Sequence, residues 1–329
     1  MSHARRSTPA SRGPSPSDRR GRLWVCERLL LGAAMATAGV AGCQRATAPG
    51  EAEAVFGTTG FGHGEFSYPR AIAIDRDGTL FVVDKAARIQ RLGPHGQFEA
   101  HWRTPAFEFG KPVGLSVAPD GRLFVADTHY HRVLIYDRQG TLEGEFGGFG
   151  KGPGEFNLLT DVVVAPDGSI YVSEYGGNDR ISRFDSDHRF VRAFGSPDEP
   201  DPRRRLSRPN CLALDPDGTL WVADACNHRI VHFDPDGKLL GEFGRHGSAP
   251  GELAYPYGVD LLADGTLVVA EFGNARVQRF DRTGRSLGAW GSPGREVGQL
   301  AYPWSLAVGP DDRIYVVDSG NNRIQVIRM

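Results

Sequence analysis

Clustered basic residues, cysteine and long apolar runs are all scarce in this chain of 329 residues. The formal net charge is −2, and residues 52–329 hold 30 basic and 37 acidic residues, a net charge of −7. Nucleic-acid binding needs clustered Lys and Arg, so this mildly acidic body predicts no nucleic-acid partner. An uncharged run at residues 29–40 contains twelve residues, which is too short to span a bilayer comfortably.

Glycine and proline, in contrast, are abundant, with 43 and 22 residues. This content is high for a helical protein and natural for many short strands joined by turns. Hydrophobic residues make up 40% of the chain and charged residues 24%, the balance of an ordinary soluble globular protein.

One sequence pattern occurs six times. Two clear copies are YPYGVDLLADGTLVVAEFGNARVQRF (residues 255–280) and YPWSLAVGPDDRIYVVDSGNNRIQVI (residues 302–327). Each copy has an apolar strand, a turn, a second apolar strand ending in an acid, a polar loop, and an Arg that begins a third strand. The acids, spaced 43 to 50 residues apart, are Asp84, Asp127, Glu174, Asp224, Glu271 and Asp318. The paired arginines are Arg88, Arg132, Arg180, Arg229, Arg276 and Arg323. A period of this length indicates a repeat architecture.

Each repeat contains four predicted strands. The first two flank a hairpin turn such as Asp77-Gly78 or Asp217-Gly218. The second is apolar without alternation, which is typical of a strand buried on both faces. The third alternates polar and apolar residues, and the fourth ends in an aromatic-Gly pair such as Phe146-Gly147. Four antiparallel strands with the strongest burial early in the unit predict one blade of a β-propeller.

The last repeat ends at Met329 without a fourth strand. Residues 55–57 (Val-Phe-Gly) carry the aromatic-Gly ending of the other fourth strands. We therefore expect residues near 53–57 to supply the outer strand of the final blade, which would close the ring and remove exposed sheet edges. The expected fold is all-β, a six-bladed β-propeller over residues 53–329.

An Asn stands two residues before the paired Arg in the segments Asn227-His228-Arg229, Asn274-Ala275-Arg276 and Asn321-Asn322-Arg323. With the upstream Gly-rich loops ending in Gly-Glu-Phe or Gly-Glu-Leu, these motifs resemble NHL repeats from about residue 53 to the end. The resemblance implies an NHL-type six-bladed propeller. It says little about function, because one fold hosts unrelated activities.

The first 43 residues have the features of an export signal. A basic lead precedes the apolar run, and Val40-Ala41-Gly42-Cys43 resembles the lipobox of bacterial lipoproteins. The resemblance implies that Cys43 is acylated and begins the mature chain, with residues 44–52 as a tether. The protein is then expected to be exported and anchored by its lipid to the bacterial cell envelope. A plain signal peptide that happens to contain a Cys is the alternative.

The recurring acid and Arg allow two interpretations. They could form a ring of catalytic carboxylates, or a structural clasp inside each blade. Sixfold recurrence favours the clasp, because an interaction that stabilises each repeat occurs in all of them, whereas a catalytic site needs residues that differ from one repeat to another. We therefore expect charge-assisted hydrogen bonds that fix the loop between the second and third strands of each blade, and no catalytic residue among them.

Function is expected where the repeats differ, in the loops between each acid and its Arg. These loops should lie together on one face of the ring, around the central channel. Their varied aromatic, amide and imidazole side chains suit recognition of a protein, peptide or glycan, and no cofactor is expected. The candidate binding residues are His129, Tyr130, His131, Tyr175, Asn178, Asn227, His228, Phe272, Asn274, Asn321 and Asn322. The leading hypothesis is a non-catalytic binding scaffold.

Two histidines support an enzymatic alternative. His131 and His228 directly precede the paired Arg in blades two and four, where blade six has Asn322. This arrangement resembles the NHL-type propeller of the peptide-amidating lyase, in which histidines from separate blades hold a metal. The resemblance implies a metal-dependent lyase or hydrolase with zinc on His129, His131 and His228.

Two cysteines of the body fall in the fourth blade. Pairing across the hairpin places Cys211 opposite Ala223, about three residues from Cys226, so a disulfide would require the intervening loop to fold back. Export is compatible with a disulfide, and both a disulfide and two free thiols stay open.

Overall fold

Six four-stranded antiparallel sheets, one for each repeat, make up the computed structural model of this chain. The structure describes residues 47, 48, 50–108 and 110–329. The predicted signal segment 1–43, with the predicted lipidation site Cys43, lies outside the described residues. Within the described part, no helix is long and apolar enough to cross a membrane.

Each sheet is one blade, and the last blade takes one strand from the beginning of the chain. The strands are, in blade 1, β4 (Pro69–Ile74), β5 (Leu80–Asp84), β6 (Arg88–Leu92) and β7 (Phe98–Arg103); in blade 2, β8 (Gly114–Val117), β9 (Leu123–Asp127), β10 (Arg132–Tyr136) and β11 (Leu142–Gly147); in blade 3, β12 (Leu158–Val164), β13 (Ile170–Tyr175), β14 (Arg180–Phe184) and β15 (Phe190–Phe194); in blade 4, β16 (Pro209–Leu214), β17 (Leu220–Asp224), β18 (Arg229–Phe233) and β19 (Leu239–Phe243); in blade 5, β20 (Pro256–Leu261), β21 (Leu267–Glu271), β22 (Arg276–Phe280) and β23 (Ser286–Trp290); and in blade 6, β24 (Pro303–Val308), β25 (Ile314–Asp318), β26 (Arg323–Ile327) and β1 (Ala54–Phe56). A short parallel pair, β2 (Thr58–Thr59) and β3 (Glu65–Phe66), precedes blade 1, and 3-10 helices span Thr128–Tyr130, Pro202–Arg204, Ala225–Asn227 and Ser319–Asn321.

Burial decreases from the inner to the outer strands of each blade, as the hydrophobic pattern predicts. All five residues of β5 are buried, whereas β7 alternates half-buried and exposed residues. The β4–β5 hairpin turns at Gly78, whose φ of +86° is open to glycine at no steric cost. The inner strands therefore form the walls of the molecule, and the outer strands form its solvent-facing rim.

The blades form a closed ring through their first strands. β4 contacts β8, and this contact between first strands continues blade by blade until β24 returns to β4. The apolar core lies between neighbouring blades: Phe81 and Val83 of blade 1 pack with Leu134 and Tyr136 of blade 2. Since burying a large apolar side chain contributes roughly 1.5–3 kcal/mol, each blade is stabilised chiefly by its two neighbours.

The beginning of the chain completes the last blade, which confirms the sequence prediction. β1 pairs antiparallel with β26 in the register Ala54↔Val326, Val55↔Gln325 and Phe56↔Ile324. Beside this pairing, the Glu53 carboxylate forms ion pairs of 3.0 Å with both Arg313 and Arg328. Closure gives the ring six blades and pairs the outer edge of β26.

Part of the predicted tether contacts the ring. The backbone N–H of Thr47 donates to the Arg328 carbonyl at 2.9 Å, and the Arg328 N–H donates back to the Thr47 hydroxyl at 2.7 Å. Farther along, the Trp290 indole donates to the Glu51 carbonyl at 2.7 Å. The chain is therefore held against blades 5 and 6 before β1 begins.

Candidate functional site

The recurring acid and Arg form an ion pair in every blade. The acid side chains are buried, and the N–O distances run from 2.5 to 3.0 Å. The pairs are Asp84–Arg88, Asp127–Arg132, Glu174–Arg180, Asp224–Arg229, Glu271–Arg276 and Asp318–Arg323. Burial raises the pKa of Asp127 to about 6, and it also raises the pKa of Glu174 and Asp224.

Each clasp ties two loops together, as blade 5 shows. Glu271 accepts a hydrogen bond from the Ala254 N–H at 2.9 Å, and Arg276 donates to the Ser248 and Glu252 carbonyls at 2.7 and 3.0 Å. The loop before the first strand and the loop between the second and third strands therefore lie on one face of the ring. We call this the loop face; its strand-connecting loops are residues 85–87, 128–131, 175–179, 225–228, 272–275 and 319–322.

The candidate asparagines of the NHL-like motifs are part of the clasps. The Asn274 amide donates to the Gly247 carbonyl at 2.9 Å and to Glu271 at 2.6 Å. Asn227 and Asn321 make the corresponding bonds in blades 4 and 6. Asn178 is half-buried beside Glu174. The Asn227, Asn274 and Asn321 amides already hold the loops in place, which leaves them little capacity for a ligand.

In blades 2, 3, 4 and 6, the residue directly before the Arg links its blade to the next one. His228 Nδ1 accepts the Tyr255 N–H at 3.1 Å, and Asn322 Oδ1 accepts the Tyr68 N–H at 2.6 Å. In blade 3, Asp179 Oδ1 accepts the Arg208 N–H at 2.6 Å. His131 Nδ1 likewise contacts the Asn157 carbonyl of the following blade.

The three histidines proposed as zinc ligands do not form a ligand set. His129 is exposed and its Nδ1 accepts the Lys111 N–H at 3.3 Å, while His131 and His228 serve as the blade links just described. In the described part of the chain, no group of three or more His, Cys, Asp or Glu side chains could hold a metal ion. These residues therefore do not fit the zinc site that the resemblance implied.

A cluster of aromatic rings and arginines occupies the loop face at the entrance to the central channel. Tyr257 and Trp304 lie near the start of β20 and β24 and line the channel. Their ring centroids are 5.1 Å apart, and Phe272 contacts both, at 4.6 Å from Tyr257 and 5.6 Å from Trp304. We call this set the channel-mouth cluster; it comprises Tyr68, Arg70, Tyr175, Arg208, Tyr257, Phe272, Tyr302 and Trp304.

The two arginines of the cluster lie over aromatic rings. The Arg70 guanidinium carbon is 3.7 Å from the centroid of Trp304 and 4.8 Å from that of Tyr68. The Arg208 guanidinium carbon is 4.9 Å from the Tyr175 centroid and 5.3 Å from the Tyr257 centroid. Of this cluster, only Tyr175 and Phe272 were among the residues predicted from sequence.

The sequence nevertheless carries a signal for the missed residues. All six of them flank the Pro that begins a first strand, in Tyr68-Pro69-Arg70, Arg208-Pro209, Pro256-Tyr257 and Tyr302-Pro303-Trp304. Because the first strands line the channel, their initial residues lie at its entrance. A residue beside this Pro whose identity differs among the repeats is therefore a candidate for contacting a ligand.

The channel below the cluster is lined by small and apolar residues, with two carboxylates, of which Asp161 is buried and Asp260 is half-buried. Asp161 of blade 3 accepts the Leu212 N–H of blade 4, and Asp260 of blade 5 accepts the Val308 N–H of blade 6, at 2.9 and 2.8 Å. Burial raises the pKa of Asp161 to about 7 and that of Asp260 to about 6. Both carboxylates connect neighbouring blades.

The two cysteines of blade 4 are free thiols. Cys211 lines the channel, and its Sγ lies 3.5 Å from the backbone of Val259 in blade 5. Cys226 is exposed on the loop face. The disulfide that the sequence left open is therefore not formed.

A family model described as "SMP-30/Gluconolactonase/LRE-like region" matches residues 68–318. The chain belongs to this family. Members of the family are six-bladed propellers, in agreement with the ring described above. The finer assignment to NHL repeats and to lipoproteins stays a prediction.

Curated relatives match part of the chain. Protein brain tumor of Drosophila melanogaster is 28% identical over 167 residues, which are 50% of this chain and 15% of that protein. Peptidylglycine alpha-amidating monooxygenase of Rattus norvegicus is 35% identical over 150 residues, which are 43% of this chain and 15% of that protein. The matched region is thus a small part of either relative.

Solved structures of propellers resemble the whole ring. A streptogramin B lyase aligns with a TM-score of 0.58 at 20% identity, covering 83% of this chain and 85% of that one. Virginiamycin B lyase from Staphylococcus aureus aligns with a TM-score of 0.57 at 16% identity, covering 80% and 95%. At these identities the resemblance establishes the fold.

Proposed function

We propose that this propeller is an exported, lipid-anchored binding protein that receives the end of a peptide or glycan at the mouth of its central channel. The observation that supports this most is the channel-mouth cluster, in which Tyr257, Phe272 and Trp304 form one continuous aromatic surface. Aromatic rings beside polar groups at the opening of a concavity suit the recognition of sugar faces and peptide side chains.

The asymmetry of the cluster supports recognition over a purely structural role. The clasps recur in all six blades, but the aromatic surface is confined to blades 5 and 6 and the adjoining start of blade 1. Part of it is accessible: Tyr302 is 56% exposed and Tyr255 beside it 42%. A surface that departs from the repeat and keeps large rings in solvent is the expected form of a ligand site.

The exported, lipid-anchored state follows from the resemblance of residues 40–43 to a lipobox. Partners consistent with it are a peptide, protein or glycan of the cell envelope, with the membrane contacted through lipid on Cys43. A nucleic-acid partner fits poorly, because residues 52–329 carry a net charge of −7.

The alternative function, a metal-dependent lyase or hydrolase, has weaker support. It rests on the resemblance to the amidating lyase, and the three histidines that would bind the metal do not form a ligand set. Elemental analysis of protein purified without chelator tests it directly. A stoichiometric divalent ion, lost on substitution of His131 or His228, would favour the enzyme over the binding protein.

The binding proposal is tested on the mature protein with peptide and glycan arrays. Hits should be lost in Tyr302→Ala and Trp304→Ala. Phe149→Ala is the matched control, because Phe149 is an exposed aromatic residue, 74% accessible, that lies outside the cluster. Hits that bind both cluster variants as well as the wild type would refute the channel mouth as the binding site.

A further inference from the structure

Arg70 and Arg208 differ from the six clasp arginines of the loop face. The six clasp arginines each face a carboxylate within 3.0 Å. No carboxylate of the described residues lies within ion-pair distance of Arg70 or Arg208. The Nε atoms of both are buried and have no hydrogen-bond acceptor among the described atoms.

This arrangement is unfavourable for the protein alone. In each half-buried guanidinium the buried Nε–H group has no acceptor, and contact with aromatic faces replaces only part of the lost hydration. Burial lowers the pKa of Arg70; nearby tyrosines oppose this effect, and the positive charge of Arg208 adds to it. Two cations close enough to repel each other, neither of them paired with an acid of the described residues, favour the binding of an anion.

Their positions suit a ligand held over the channel. Arg70 is the second residue of β4 in blade 1, and Arg208 directly precedes β16 of blade 4. In a ring of six blades, blades 1 and 4 are opposite each other across the channel. The rings of Tyr257 and Trp304, from blades 5 and 6, each contact one of the two guanidinium groups.

We propose that Arg70 and Arg208 bind the carboxylate of a ligand whose apolar or aromatic body rests on Tyr257 and Trp304. This inference rests on the proposed function and specifies its ligand: an acidic chain end, either a peptide C-terminus or an acidic sugar. The guanidinium N–H groups supply donors in the planar arrangement that fits a carboxylate. The aromatic rings exclude water from the ion pairs, which strengthens them.

Two pairs of probes test whether the ligand must carry a carboxylate, and whether that carboxylate belongs to a peptide or to a sugar. The peptide pair is N-acetyl-phenylalanine and N-acetyl-phenylalanine amide, and the sugar pair is phenyl glucuronide and phenyl glucoside. Binding is measured by calorimetry on the wild type, Arg70→Gln, Arg208→Gln and the control Arg245→Gln. Arg245 pairs with Glu252 and its side chain is 81% exposed, outside the cluster.

In at least one pair, the charged probe should bind the wild type about ten- to a hundred-fold more tightly than its neutral partner, the range expected for charge-assisted hydrogen bonds. Either cluster variant should reduce this preference to within a few-fold, and Arg245→Gln should retain it. Arg70→Lys and Arg208→Lys, which keep the charge, should restore part of it. Thermal unfolding of each variant shows that the loss does not come from misfolding.

Other outcomes separate this inference from the proposed function. Equal binding of charged and neutral probes, dependent on Trp304, would overturn the carboxylate inference and leave the channel mouth as a binding site. A charge preference that survives both glutamine variants would overturn the assignment to Arg70 and Arg208. No binding of any probe at millimolar concentration would also overturn the carboxylate inference. The proposed function would still be tested separately, by the binding of array peptides and glycans to the wild type and the cluster variants.

Discussion

Replacing Asp161 with Asn should change how the stability of the ring depends on pH. Burial in the channel raises the pKa of Asp161 from 3.8 to about 7, although two backbone N–H groups, of Val162 and Leu212, donate to the carboxylate at 2.9 Å. The negative charge of nearby Asp260 raises it further. The folded protein therefore binds this proton more tightly than the unfolded chain does.

The sign and size of the effect follow from proton linkage. Because the folded pKa lies above the unfolded value, this group's contribution to stability is fully present below about pH 4 and is lost as pH rises towards about 7. At about 1.4 kcal/mol per pH unit, the loss across that window is on the order of 4 kcal/mol. Asn does not titrate, but its NH2 group cannot accept the second of these two backbone hydrogen bonds. Asp161→Asn should therefore be less stable than the wild type near pH 4, and this difference should shrink or reverse as pH rises to 8, because only the wild type loses stability from this group over that range.

Urea unfolding followed by fluorescence, at intervals from pH 4 to pH 8, measures this difference. Asp281→Asn is the control, because hydrogen bonds from Thr283 lower the pKa of that exposed carboxyl to about 2. Its difference from the wild type should stay constant above pH 5. Parallel stability curves for the wild type and Asp161→Asn across the whole range would refute the account of Asp161 as a buried carboxyl group that is protonated in the folded ring.

Three further predictions concern the clasps, the closure and the thiols. Asp318→Asn removes the charge of the buried member of the Asp318–Arg323 pair and should cost about 3 kcal/mol of unfolding free energy in urea titrations. Asp187→Asn, in an exposed pair, should change little; equal effects would contradict the structural importance of the clasp. Phe56→Ala should cost about 2 kcal/mol, since this half-buried ring packs in the core beside blade 6, and an unchanged melting temperature would argue against closure by β1. Cys226 should react with a thiol reagent in the native protein and Cys211 only after unfolding; failure of both to react under denaturing, non-reducing conditions would reveal a disulfide.

The fold could be predicted because its determinants are local and repeated. The turn at Asp77-Gly78, the apolar second strand after it and the acid at its end recur with a period that a single blade explains. The unmatched third strand at the end of the chain required a partner, and only residues near 53–57 had the right ending. Each of these inferences uses residues close in sequence or a count of repeats, so none needs knowledge of side-chain packing.

The candidate site could be predicted only in part, because it depends on contacts between blades. His131 and His228 occupy equivalent positions, and the sequence could not show that each Nδ1 is already engaged by the next blade. The NHL-like asparagines similarly bond within their own clasps. The histidines and the asparagines stood out in the sequence because they recur at equivalent positions. That recurrence indicates a structural role in the repeat and not a ligand site.

The sequence by itself determined the number of blades, the closing strand and the face on which the loops gather, since these follow from periodicity and chain connectivity. Tertiary structure alone decided which side chains meet at the channel mouth. Arg70 and Trp304 are more than two hundred residues apart in the chain, and closure of the ring brings them to 3.7 Å. Among the described residues no acid pairs with Arg70 or Arg208, and this is likewise a property of three-dimensional packing, because carboxylates are plentiful throughout the sequence and their positions in space decide which arginines they pair with.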